Sequence, residues 1–194
     1  MARLSSAPGE AASVALALVN SLHRGSTGAT DDLLTPAEVT GWLRSRSLFQ
    51  RAEPALGERD VWRLGQLRAA VRELFLACAE GRAADAGALH TVNLAAAGTP
   101  GAPSVEWSPE GPVRTWTTVS PGTFEEALAT VAADAIDVVC GHRAPTVRRC
   151  EAHGCLRLFF REHARRRWCS TTCGDRVRAA RHYRLQQHQV RSSG

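Results

Sequence analysis

Apolar residues recur at helical spacing in several stretches of this chain. Across residues 10–23, Val14, Leu18 and Leu22 share one face and Leu16 and Val19 widen it, which predicts a first helix. Gly25 to Thr30 reads as a loop. A second helix is expected from Thr35, with Pro36 at the first helical position, Glu38 completing a capping box, and Trp42 and Leu43 turned to the core. The longest pattern runs over Arg59–Glu80. There Leu64, Leu67, Val71, Leu74, Phe75 and Cys78 follow three- and four-residue steps until Gly81 stops the helix. Another helix follows Asp85 through Leu89 and Val92.

The period changes over 98–122. Gly98, Pro100, Gly101 and Pro103 open a loop; Val105–Trp107 and Val113–Val119 then alternate around Pro109–Pro112, as in a β-hairpin. Thr123 and Glu126 form a second capping box, opening a helix through Leu128, Val131, Ala135 and Val138. Gly141 to Pro145 breaks it. The expected fold is therefore mainly α with a small β-hairpin near 105–119: a helical domain over 1–143, then a small module over 144–194.

Charge sharpens that division. Residues 1–147 hold twelve arginines against sixteen acids, a balance of −4. Residues 148–194 hold twelve arginines against Glu151, Glu162 and Asp175, a balance of +9. The partner-binding charge is thus expected in the tail. The chain has no lysine at all, which fits the codon bias of a GC-rich genome and carries no argument about binding.

The tail also holds Cys150, Cys155, Cys169 and Cys173, spaced C-x4-C, thirteen residues, C-x3-C. Two close pairs can bring four sulfurs to the corners of a tetrahedron, the geometry of one structural Zn2+. Four thiolates leave no open coordination position, so catalysis by the metal is not expected. Iron is the other metal such a site accepts. The last 47 residues are too few to hold themselves up by apolar burial alone, which makes the metal a folding element. The spacing predicts a turn bearing Cys150 and Cys155, then a hairpin of Leu156–Phe160 against Arg165–Trp168. Cys169 sits in the turn closing that hairpin, and Cys173 starts a helix toward Gln187, a treble-clef-like arrangement. On that helix Arg178, Arg181, Arg184 and His188 fall within about a third of the circumference, with Val177, Ala180 and Tyr183 toward the small core. His153 and His163 are read as surface residues, Cys78 and Cys140 as buried small hydrophobes.

The stretch Arg167-Trp168-Cys169-Ser170-Thr171-Thr172-Cys173-Gly174-Asp175-Arg176, with Cys150 and Cys155 upstream, resembles the CGNR zinc finger of bacterial proteins. Those proteins carry an N-terminal helical domain called ABATE and are regarded as stress-induced transcription regulators. The resemblance extends to the opening helix at Leu16–Leu22, to Asp32–Phe49, to the long helix Arg59–Ala79 and to the helix at 124–140. One position departs: the motif's Asn is Asp175, which removes an amide donor and adds negative charge while leaving all four metal ligands in place.

The resemblance implies a bacterial, cytoplasmic regulator that binds DNA through the finger. Arg165, Arg166, Arg167, Arg176, Arg178, Arg181 and Arg184 are the candidate nucleic-acid contacts. The N-terminal domain would sense a small-molecule effector or form a homodimer. Its Glu/Arg feature maps onto Arg68, Arg72 and Glu73, either a ligand site between helices or ordinary helix-surface ion pairs. Trp42, Trp62, Trp107 and Trp116 are read as core residues. No catalytic constellation stands out, so an enzyme is not expected, and no apolar stretch is long enough to span a bilayer. The alternative reading is a protein–protein adaptor whose basic module docks an acidic partner.

Overall fold

The computed structural model describes residues 6–24, 28–49, 55–99, 101–109, 111–118 and 122–192. The chain is mainly helical with small antiparallel strand pairs. Its first helix, α1 (Val14–Asn20), is shorter than the apolar pattern predicted, and every residue from Ala15 to Asn20 is buried. Ser13 caps it by accepting the Leu16 N–H, and Asp134 accepts both the Ser13 hydroxyl (2.7 Å) and the Ala15 N–H (2.8 Å). The helix stops where Ser21 turns its hydroxyl back onto the Leu18 carbonyl. Leu22–Arg24 then forms strand β1 against β2 (Ala29–Asp31). Part of the expected loop is thus a strand, and Gly25–Thr27 lie outside the described residues.

Three of the next four helices begin at the caps the sequence predicts, and the fourth ends where it predicts. For α2 (Pro36–Arg44), Thr35 and Glu38 make a reciprocal capping box. For α3 (Glu58–Glu80), Gly81 takes the left-handed conformation (φ 66°) that ends the helix. Asp85 caps α4 (Ala86–Ala97), and Thr123 caps α5 (Phe124–Cys140) by accepting the Glu126 N–H. Between them, β3 (Gly101–Ser108) and β4 (Gly111–Thr118) form the expected hairpin, with Val105 opposite Arg114 and Trp107 opposite Pro112. Val119 lies outside the described residues.

The body core joins Leu16, Leu18 and Val19 of α1 to Leu64, Leu67, Val71 and Phe75 of α3 and to Leu128, Val131 and Ala135 of α5. Val39, Leu43 and Phe49 close one end, with Trp42 packed against them. Two tryptophans expected in the core are not there. Trp62 is 64% exposed on α3, and Trp107 is 80% exposed on the β3–β4 hairpin. Apolarity alone did not place them, because neither sits on a stripe shared with buried neighbours. The side chain of Trp116 lies outside the described residues. Cys140 is exposed and Cys78 half-buried, against the expectation that both are buried.

After a short 3-10 turn at Ala144–Thr146 comes β5 (Val147–Arg149), which pairs with β6 (Leu158–Phe160). The expected pairing of Leu156–Phe160 with Arg165–Trp168 does not form. Three arginines in a row offer no alternating apolar face, whereas Val147 does. The last helix, α6, spans Thr171–Ser192.

Candidate metal centre and basic helix

Strand β6 is buried on both faces, and the two-residue period of a strand sends its side chains to opposite sides. Val147, Leu158 and Phe160 point into the body core, while Phe159 points the other way, against Cys150, Cys169 and Cys173. Between the strands the chain turns through Cys150–Cys155. Gly154 lies there at φ 70°, and a Cβ at this position would run into the Arg24 guanidinium. Cys169 precedes α6 and Cys173 sits in its first turn, where its N–H bonds the Ser170 hydroxyl. The four sulfurs lie within 4.8 Å of one another.

Their spacing can be tested against a metal. Tetrahedral Zn–S bonds of about 2.3 Å place sulfurs about 3.8 Å apart. The observed separations are 3.8 Å for Cys155–Cys169, 3.7 Å for Cys169–Cys173 and 3.8 Å for Cys173–Cys155. Among themselves the sulfurs divide charge unevenly. Hydrogen bonds from Cys150 and then Cys169 draw Cys155 down to about 2. In return, bonding to Cys155 pushes Cys150 up to about 11, and bonding to Cys150 and Cys155 pushes Cys169 upward. Only a cation lets all four be thiolates together. The donor set and its dimensions thus fit one structural zinc.

Polar groups around the sulfurs complete the site. The Cys169 N–H points at Cys150 Sγ (3.4 Å), and Arg176 Nη2 lies 3.9 Å from Cys173 Sγ. Arg72 reaches across from α3 to donate to the Leu156 carbonyl at 2.7 Å. Burial holds its pKa below the usual value, with Arg149 adding to that and Cys155 opposing it. His153 and His163 are exposed.

A strap from the start of the chain also belongs to the finger, and no sequence pattern marked it. Ala7 is buried in the cysteine cluster, and the Phe160 N–H bonds the Pro8 carbonyl at 3.0 Å. Gly9 (φ 95°) lies so close to the Phe160 ring that a Cβ would overlap it. Glu10 accepts Arg157 at 2.6 Å and Asn20 at 2.5 Å, and the Arg157 and Glu10 side chains are 8% and 12% exposed. Asn20 bonds both the N–H and the carbonyl of Leu158, both 2.9 Å. It takes the place of a strand partner. A buried Asn in the apolar run of α1 was the one signal available, but its partner lies 138 residues away.

Arg68, Arg72 and Glu73 do not converge on a common site. Arg68 forks onto Asp31 and donates to Ser21, tying α3 to the β1–β2 pair. Arg72 serves the finger, and Glu73 pairs with Arg82. An open cavity of about 460 Å³ lies elsewhere, lined by Ser6, Glu10, Ala11, Val14, Ser45 and Arg46.

The seven candidate nucleic-acid contacts fall into two groups. Arg167 is paired with Glu151, Arg178 with Asp175, and Arg176 leans on the His153 carbonyl and Cys173. Arg165, Arg166, Arg181 and Arg184 have no hydrogen-bond or ion-pair partner for their side chains among the described residues. From Arg178 to Gln187 every residue of α6 is exposed. Val177 packs against the cysteine cluster as expected, but Ala180 and Tyr183 do not reach it, because the helix has left the finger by then. The side chain of His188 lies outside the described residues.

Comparison with known families decides the kinship. A model described as "ABATE: Putative stress-induced transcription regulator" matches residues 12–142. The chain belongs to the ABATE family. The CGNR zinc finger model matches residues 146–186, covering all four cysteines. No curated protein matches the chain. The ABATE match spans α1 to α5, and the CGNR match spans the hairpin, the four sulfurs and most of α6. Among the described residues, no helix is long and apolar enough to cross a membrane.

Proposed function

We propose that this ABATE-family chain is a transcription regulator that binds duplex DNA through α6, with zinc fixing the helix rather than doing chemistry. One observation carries the reading: from Arg178 to Gln187 the helix is exposed on every side while bearing Arg178, Arg181 and Arg184. Along this stretch the helix packs on nothing in its own chain among the described residues, and Tyr183 and Leu185 stand exposed beside the arginines, so a groove-shaped partner has a face to cover. An α-helix is about 10–12 Å across, and the B-DNA major groove is about 12 Å wide. The major groove of duplex RNA is too narrow for side chains to read. Single strands are held on stacked aromatics, and this stretch offers only Tyr183.

In this reading the helical body senses a small-molecule effector or pairs with a second copy in the cytoplasm, and no catalysis is assigned to it. The test is binding of zinc-loaded protein to a library of genomic duplex fragments at two salt concentrations. Salt-sensitive binding with enriched sequences is the expected result. Binding without enrichment reduces the finger to an electrostatic anchor. No binding at either salt overturns the reading in favour of an adaptor that docks an acidic protein.

A further inference from the structure

Arg178 has the position of a phosphate contact but the surroundings of an occupied residue. Its Nη2 donates to Asp175 Oδ1 at 2.5 Å, three residues back on the same helix. Its guanidinium lies 5.9 Å from the centroid of the Trp168 ring. Trp168 in turn is pressed against Gly174, where a Cβ would come within 3.1 Å of ring atom Cε3 and 3.3 Å of Arg178 Nη1. Three successive features of the motif therefore converge on Arg178: the glycine that admits the ring, the ring beneath the guanidinium, and the carboxylate that receives it.

On an ideal helix of 100° per residue, Arg181 and Arg184 continue the side that carries Cys173, Gly174 and Val177. They lie beyond the end of the finger and face no acid among the described residues. Arg165 and Arg166 lie in the loop that leads into Trp168.

We propose that Asp175 holds Arg178 out of the phosphate interface, leaving Arg165, Arg166, Arg181 and Arg184 as the arginines that contact the DNA backbone. This rests on the DNA-binding reading above. The bridge is exposed, with side chains 62% and 69% accessible, so its own strength is small. Its effect does not depend on that strength. If Arg178 swings to a phosphate, the Asp175 carboxylate is left one turn away facing the same negative strand, and the pair still contributes no net charge. Counterion release counts net neutralised phosphates. An aspartate at this position subtracts one.

The experiment measures the slope of log K against log salt for zinc-loaded full-length protein and a pool of random-sequence duplexes. Asp175→Asn should steepen the slope by about 0.9 and tighten binding about fivefold at 0.15 M salt, the effect of one added phosphate contact. Arg178→Ala alone should flatten it by about 0.9, because the Asp175 carboxylate is then unopposed. In the Asp175→Asn background, Arg178→Ala should return it to the wild-type value. Arg181→Ala with Arg184→Ala should flatten it by about 1.8.

No gain from Asp175→Asn, or a gain that survives Arg178→Ala in that background, overturns the proposal while leaving DNA binding in place. An unchanged slope for the Arg181/Arg184 pair removes those residues from the interface and overturns it as well. Failure of every variant and the wild type to bind at any salt overturns the DNA reading itself, and this inference with it.

Discussion

Gly9 is the residue on which the strap depends. Its φ of 95° belongs to the region where an L side chain is strained, and the Phe160 ring fills the space a Cβ needs. Gly9→Ala is therefore expected to lose about 2–3 kcal/mol of stability from backbone strain and displacement of the ring, read from urea unfolding. An unchanged urea midpoint for Gly9→Ala would remove the strap from the packing.

Arg68 and Asp31 make a second residue-scale prediction. Burial pushes the Asp31 carboxyl up, but the Arg68 hydrogen bond, the Leu33 N–H and the charges of Arg68 and His23 outweigh it and hold the pKa below its ordinary value. A group depressed on folding stabilises above its unfolded pKa, and that contribution fades as pH falls through the folded pKa. Arg68→Met should cost on the order of 2 kcal/mol near neutral pH, less than a fully buried pair because both groups touch water. The gap between variant and wild type should narrow as pH falls below the ordinary carboxylate range. A gap independent of pH would place the stabilisation in packing instead.

Among the elements, helix ends were the most legible part of the sequence, because a cap is a local device. Thr35 with Glu38 states its own geometry, and Thr35→Ala should cost about 1 kcal/mol, visible as a lower urea midpoint with an unchanged slope. Gly81 and Asp85 were readable for the same reason. Strand pairing was not, because it is settled between segments. Residues 147–149 are too short to announce a strand, yet Val147 supplies the inward side chain that Arg165–Arg167 cannot. The early β1–β2 pair was hidden in the same way, since its hold on α3 comes through the Arg68–Asp31 contact rather than any run of apolar residues. The four metal ligands were legible from spacing alone. The polar groups that seat them, Asn20, Glu10 and Arg72, come from remote elements and were not.

At the scale of the whole molecule, charge separates a body from a finger, but packing does not. Val147, Leu158 and Phe160 belong to the body core, and Ala7 belongs to the cysteine cluster. Removing the metal should therefore do more than release α6. If chelation costs the body even about 2 kcal/mol, its melting midpoint falls by roughly 4–8 °C. Far-UV circular dichroism would follow this on heating, and replacing Cys169 with Ser should reproduce it. A body that melts at the same temperature with and without zinc would show that the hairpin docks without contributing. Arg149 paired with Glu80, and Arg72 on Leu156, add polar ties across the same junction. Movement of the finger relative to the body thus requires breaking named contacts, among them the one by which Glu10, at the edge of the open cavity, holds Arg157.

The strap also sets an order of events during synthesis. Glu10 and Arg157 are 147 positions apart in the chain. At about 5–20 residues per second, the strap leaves the ribosome roughly 7–30 s before the arginine it will hold. During that interval α1 can pack with α3 and α5, while Ala7 and Gly9 have nothing to close upon. Metal uptake therefore waits on the far end of this stretch of chain: the finger cannot assemble around zinc in its final form until Cys173 has emerged, long after residues 7–10.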